Sequence, residues 1–107
     1  MNVKRVQLGE FAVARSGDKG NHANIGVVAL DPDHYEWLVN ELTADRVRQY
    51  FSGLGLERVD RYELPNVGAL NFVLHNALGG GASQSLRIDT QGKLLGTALL
   101  QLELPCP

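Results

Sequence analysis

The chain has 107 residues, of which 44% are apolar and 21% charged, with a formal net charge of -2 and a single cysteine, Cys106. These values fit one globular domain spanning residues 1–107 and exclude the basic footprint of a nucleic-acid binder. One thiol supports neither an intrachain disulfide nor a thiolate zinc cluster, and no apolar run reaches the ~20 residues of a membrane-spanning helix.

The segment Met1 to Arg5 lacks the apolar core of a signal peptide, so a cytoplasmic location is expected. Val3 to Ala14 reads as a strand whose apolar phase shifts at Gly9, from Val6 and Leu8 to Phe11 and Val13, as at a bulge. Asn24 to Leu30 is apolar on both faces and is expected to be a central, doubly covered strand. Asp31-Pro32-Asp33 ends it.

A short helix is expected over His34 to Leu42, with Tyr35, Trp37 and Leu38 as core or interface residues. Thr43 then looks like an N-cap, with Asp45 in the first turn and Leu42 and Val47 stapled across it. Val47, Tyr50, Phe51 and Leu54 form one helical stripe that Gly53 or Gly55 ends. Glu57 to Leu64 reads as a charged strand near a sheet edge. The recurrence of Val67, Leu70, Val73, Leu74, Ala77 and Leu78 predicts a helix with Asn71 and His75 on its polar side, ended by Gly79-Gly80-Gly81. Gln84 to Asp89 is expected to be a strand, and Leu94 to Leu104 the last one, with Leu94, Ala98, Leu100, Leu102 and Leu104 buried.

Helices interspersed with strands in a chain of this size imply an α+β two-layer sandwich. Its sheet would be mixed, mostly antiparallel and of about five strands, with the helices on one face. Val28, Leu95 and Leu99 would point to the other face, for which a second copy of the chain is a natural cover; the isolated chain is expected to be a homo-oligomer.

Two segments carry chemistry. Ala14-Arg15-Ser16-Gly17-Asp18-Lys19-Gly20-Asn21 packs two cations, a carboxylate, a hydroxyl and two glycines into one loop. Backbone N–H groups around Gly17 and Gly20 can form an anion-binding nest, and Arg15 can grip a carboxylate or phosphate in bidentate fashion. The same residues also make an ordinary charged hairpin, with Asp18 paired to Arg15 or Lys19. The second segment holds Asn71, His75 and the glycine-rich stretch after them. His75 beside a carboxamide can act as a general acid or base, and a helix C-terminus would favour its charged form. The alternative there is a polar helix face with a glycine stop. No metal site is expected: His22 and His34 lack ligand spacing, and Asp18 with His22 would share an ion only if the loop folded back.

Three blocks resemble the small domain of the AtuA family, named for acyclic terpene utilisation. They are Ala14 to Asn21 with Ala23-Asn24-Ile25-Gly26-Val27, Glu63 to Asn66 with Ala69 to His75, and Leu78 to Gly81 with Ser85 to Asp89 and Gln91-Gly92-Lys93. The resemblance implies a ferredoxin-like fold without an iron–sulfur cluster or other cofactor. It also implies a place in bacterial breakdown of acyclic terpenoids and branched acyl-CoA compounds, next to a large AtuA-type subunit.

The leading expectation is an accessory or regulatory subunit that holds a carboxylate or a CoA phosphate. Arg15, Ser16, Gly17, Lys19, Gly20, Asn24, Asn71, Gly80 and Ser85 form its candidate ligand-binding set. The first alternative is a lyase, hydratase or isomerase acting on an acyl-CoA, with His75 or Asp18 as base and Lys19 stabilising an enolate. The second is a homo-oligomeric interaction module without a ligand. The enzyme reading requires the Arg15 to Asn24 segment and His75 to meet, while the accessory reading has Asn71 and His75 supply polar contacts nearby.

Overall fold

The structure, a computed structural model, describes residues 4–20, 22–76 and 93–107. Its strands are β1 (Arg5–Gln7), β2 (Ala12–Lys19), β3 (His22–Ala29), β4 (Arg58–Leu64), β5 (Ala69–His75) and β6 (Glu103–Pro105). Its helices are α1 (Tyr35–Glu41), α2 (Ala44–Tyr50) and α3 (Lys93–Leu99). β2, β3, β5 and β4 hydrogen-bond in that order into one sheet, and β1 pairs with β6 in a separate two-stranded ribbon. Every pairing among the described residues is antiparallel.

The α+β sandwich expected from the sequence is present, and its described helices share one sheet face. Leu38, Leu42, Val47, Phe51, Leu95 and Leu99 of the helical layer join Ala23, Ile25, Val27, Leu70, Phe72 and Leu74 of the sheet in one buried cluster. Among the described residues the main sheet has four strands, all antiparallel. β3 and β4 run in the same direction with β5 between them, so the α1–α2 crossover makes a split βαβ unit. The described elements of the sandwich follow the order ββαββα. This is the ferredoxin-like βαββαβ order with its last strand carried to the front.

Two expected elements are overturned. Residues 67–78 were expected to be helical, but Ala69–His75 is a strand. Leu70, Phe72 and Leu74 are buried while Asn71, Val73 and His75 alternate with them at partial exposure, which is a period of two. Residues 94–104 were expected to be one strand, but Lys93–Leu99 is helical and only Glu103–Pro105 is extended. Leu95 and Leu99 point into the core at a four-residue spacing, and Leu94, placed in the buried set by the strand reading, is 62% exposed. Leu95 and Leu99 therefore do not face the outer side of the sheet.

A third correction concerns Val3 to Ala14. The phase shift at Gly9 is real, but a 3-10 turn at Leu8–Glu10 produces it and divides the segment into β1 and β2. The N–H groups of Leu8 and Gly9 donate to the carbonyls of Leu102 and Leu100, both at 2.8 Å, which ties this turn to the C-terminal segment. β3 is central, as expected, but among the described residues it is covered on one face only, and Val28 is exposed on the other. The strand expected over 84–89 and the glycine stop at 79–81 lie outside the described residues.

Several local expectations hold. The Thr43 side chain caps α2 by accepting from the Arg46 N–H at 3.1 Å, and Leu42 and Val47 are both buried beside it. Gly55 closes the following turn at φ 67°. β4 is an edge strand carrying alternating charges. One of them is structural: Arg61 Nη1 donates to the carbonyls of Val39 at 2.7 Å and Leu42 at 3.1 Å, satisfying the C-terminal end of α1.

Candidate functional site on the open sheet face

Strand alternation sorts the loop residues. The β2–β3 hairpin turns at Gly20, whose φ of 68° suits a residue without a Cβ. Ser16 faces the helices: its Oγ accepts from the Gly96 N–H of α3 at 2.8 Å. A Cβ on Gly96 would lie 3.1 Å from that oxygen and 3.2 Å from the Ser16 nitrogen, so the helix can sit this close only because residue 96 is glycine. Asp18 shares the parity of Ser16 and is exposed.

Arg15 and Gly17 have the opposite parity and belong to the face that no described helix covers. The register places Arg15 opposite Gly26 and Gly17 opposite Asn24. On the far side of β3, Gly26 lies opposite Asn71 and Asn24 opposite Val73. β4 continues these two rows with Tyr62 opposite Asn71 and Asp60 opposite Val73. Arg15, Gly17, Asn24, Asn71 and His75 therefore share one face, although they come from three strands. Lys19 is in register with His22 at the hairpin end. Gly80 and Ser85 lie outside the described residues.

Between β3 and β5 this face has a hollow of ≈ 180 Å³ lined by His22, Ala23, Asn24, Asn71 and Val73. The carboxamides of Asn24 and Asn71 have no hydrogen-bond partner among the described residues, and Arg15 has no ion-pair partner among them. Gly17 leaves the ground beside Asn24 open; a Cβ there would come to 3.5 Å from Asn24 Oδ1.

The imidazoles form a second layer of the site. His75 Nε2 is 2.8 Å from Asp60 Oδ2, and Arg58 Nε lies 3.3 Å from the same oxygen. The hydrogen bond from His75, aided by Arg58, holds the Asp60 carboxyl below its ordinary range. Since His75 is on a strand, the helix dipole expected to act on it is absent. The His22 ring packs edge-on against His75 with centroids 4.9 Å apart. His22 Nδ1 accepts from the Asn76 N–H at 2.8 Å. That nitrogen must carry a lone pair, which places the proton of neutral His22 on Nε2.

Asp60, Arg58, Asn76 and a binding role for His22 are not signalled by the sequence. Asp60 is fifteen positions from His75 and carries no motif, so only strand pairing could find it. His22 was weighed as a metal ligand alone. Among the described residues no group of three His, Cys, Asp or Glu side chains could hold a metal ion. No described helix is long and apolar enough to cross a membrane.

A family model described as the AtuA ferredoxin-like domain matches residues 6–105. The chain belongs to that family. The match runs from within β1 to the end of β6 of this AtuA ferredoxin-like domain and includes every described residue of the open face. No curated protein and no solved structure matches the chain.

Proposed function

We propose that this AtuA ferredoxin-like domain is an accessory subunit that holds an acidic ligand group on its open sheet face and docks on a large AtuA-type partner in acyl-CoA or acyclic terpenoid catabolism. The observation that carries the reading is the arrival of Arg15 on the same sheet face as Asn24 and Asn71, which line a hollow there, a face that no described helix covers. Arg15 supplies the charge and the two carboxamides supply neutral donors. Val13, Val28, Tyr62 and Leu64 leave large apolar surface exposed on the same side of the sheet, which suits burial against a partner.

The test is calorimetric titration of the purified chain with butanoate and with coenzyme A, alongside an assay for turnover of butanoyl-CoA. Weak binding of an acidic ligand is expected, with no turnover. Arg15→Ala should weaken binding roughly tenfold or more, the usual worth of a charge-assisted hydrogen bond. Robust turnover by the chain alone would overturn the accessory reading. It would favour instead an enzyme in which His75, oriented by Asp60, is the base, a role the 2.8 Å hydrogen bond between them supports.

A further inference from the structure

We infer that His22, rather than His75, is the imidazole that meets the ligand, as a neutral Nε2–H donor of fixed tautomer, and that the ligand group in the hollow is the carboxylate of a short aliphatic acid. This rests on the acidic-ligand reading above and names the residue and the ligand class within it.

Three observations lead there. First, His22 lines the hollow with Asn24 and Asn71, whereas His75 does not. His75 spends its Nε2 on Asp60 and packs its ring against His22, so it is a positioning residue. Second, the tautomer of His22 is imposed by backbone. Asn76 adopts φ 65°, a left-handed conformation that asparagine tolerates better than most residues, and its N–H points at His22 Nδ1. With Nδ1 accepting, Nε2–H is the polar group His22 can offer without gaining charge. The donors around the hollow are then one imidazole N–H and two carboxamides, with the Arg15 cation two rungs along the sheet from His22's end. Such a set suits an oxyanion.

Third, the hollow is small: its ≈ 180 Å³ is close to the ~150 Å³ of a cavity that holds benzene, so the group seated in it is of that size. Val73, whose side chain faces outward beside Asn24, gives it an apolar wall. A carboxylate with a short aliphatic tail satisfies both the donors and the wall.

Two substitutions separate the nitrogens of His22. His22→Asn keeps an acceptor near the Nδ1 position and removes the distal donor. His22→Gln keeps a donor near the Nε2 position and loses the acceptor for Asn76. Butanoate is titrated into wild type and both variants by calorimetry, thermal melting confirms that each is folded, and ¹⁵N imidazole spectra of ligand-free wild type read the tautomer.

The expected spectrum shows His22 protonated at Nε2 and bare at Nδ1, with the Nε2 signal moving on addition of butanoate. His22→Asn should lose roughly tenfold or more in affinity, and His22→Gln should stay within roughly threefold of wild type. Wild-type binding that His22→Asn leaves intact would overturn this inference and spare the acidic-ligand reading. Equal losses in the Asn and Gln variants would overturn the donor role, as would an Nδ1–H tautomer. Absence of wild-type binding to both butanoate and coenzyme A would overturn the acidic-ligand reading and this inference with it.

Discussion

On β5, Leu70, Phe72 and Leu74 are completely buried beneath the helical layer, while Asn71, Val73 and His75, interleaved with them, stay partly accessible on the other side. The same division runs through β3, where Ala23, Ile25 and Val27 are buried and Asn24, Gly26 and Val28 face outward. One set of strands thus serves two purposes. The helix-facing side has the apolar side chains and close packing of a core. The open side combines glycines, carboxamides, imidazoles and a cation with exposed apolar residues. Stability is concentrated on one side and chemistry on the other, so substitutions on the two sides should separate cleanly.

The largest separation should come from two aromatic residues on neighbouring strands. Phe72 is 0% exposed on the helix side and Tyr62 is 52% exposed on the open side. Phe72→Ala should cost about 3–5 kcal/mol, the loss of a buried aromatic plus its cavity. Tyr62→Ala should cost about 1 kcal/mol or less, since half its surface already meets water. Urea unfolding of the two variants measures both. Comparable losses would show that the open face is covered by packing as tight as the core.

A smaller effect tests the contact between α3 and β2. Alanine ordinarily favours a helix over glycine by about 1 kcal/mol, so Gly96→Ala would stabilise an unconstrained helix. Here the new Cβ would stand 3.2 Å from the Ser16 nitrogen and 3.3 Å from the Arg15 carbonyl carbon, and backbone atoms of a sheet strand yield little. The expected net result is a loss of about 1–2 kcal/mol, within the usual range for overpacking. A stabilised Gly96→Ala variant would mean that α3 can back away from the sheet. Because the neighbours of Gly96 are Arg15 and Ser16, this variant also asks whether strain on the helix side reaches the open face, read as a change in butanoate binding.

These contacts show why some of the molecule was legible in sequence and some was not. The Thr43 cap follows from local chemistry and is where the residue types place it; Arg15 to Lys19, expected as loop with an anion nest around Gly17, is instead strand paired in register with His22 to Gly26, because the ladder satisfies its backbone groups. Asn71 and His75 were placed on a common face for the wrong reason. A spacing of four returns to the same face in a helix and in a strand alike, so the pairing survived although the element did not. The discriminating residue was Phe72, which breaks a helical stripe and completes a strand's alternation with Leu70 and Leu74. At 94–104, a run rich in leucine fits either period, and the switch from helix to strand within it leaves no local mark. Asp60 and Asn76 enter the site through strand pairing and backbone direction, which no spacing in the chain encodes.

The smallest expected effect is electrostatic and belongs to the open face alone. Asp60 is ionised more readily in the folded chain than in the unfolded one, because His75 and Arg58 hold its carboxylate. Its carboxyl thus titrates below the ordinary value in the native state. The stabilisation is present above the unfolded pKa, about 3.9 for an aspartate, and is lost as pH falls through the lowered native value. Asp60→Asn carries no titrating carboxyl at this position. The melting temperature of wild type should therefore exceed that of Asp60→Asn at pH 6, and the gap should close below about pH 3, where wild type also presents a neutral group. Phe72→Ala provides the contrast: its deficit arises from packing, so its gap to wild type should not close on acidification in this way. A gap for Asp60→Asn that stayed constant from pH 6 to pH 2 would show that the carboxyl is not favoured in its charged form. Asp60 would then be one more polar residue of the sheet edge, and the His75 ring behind His22 would lack its anchor.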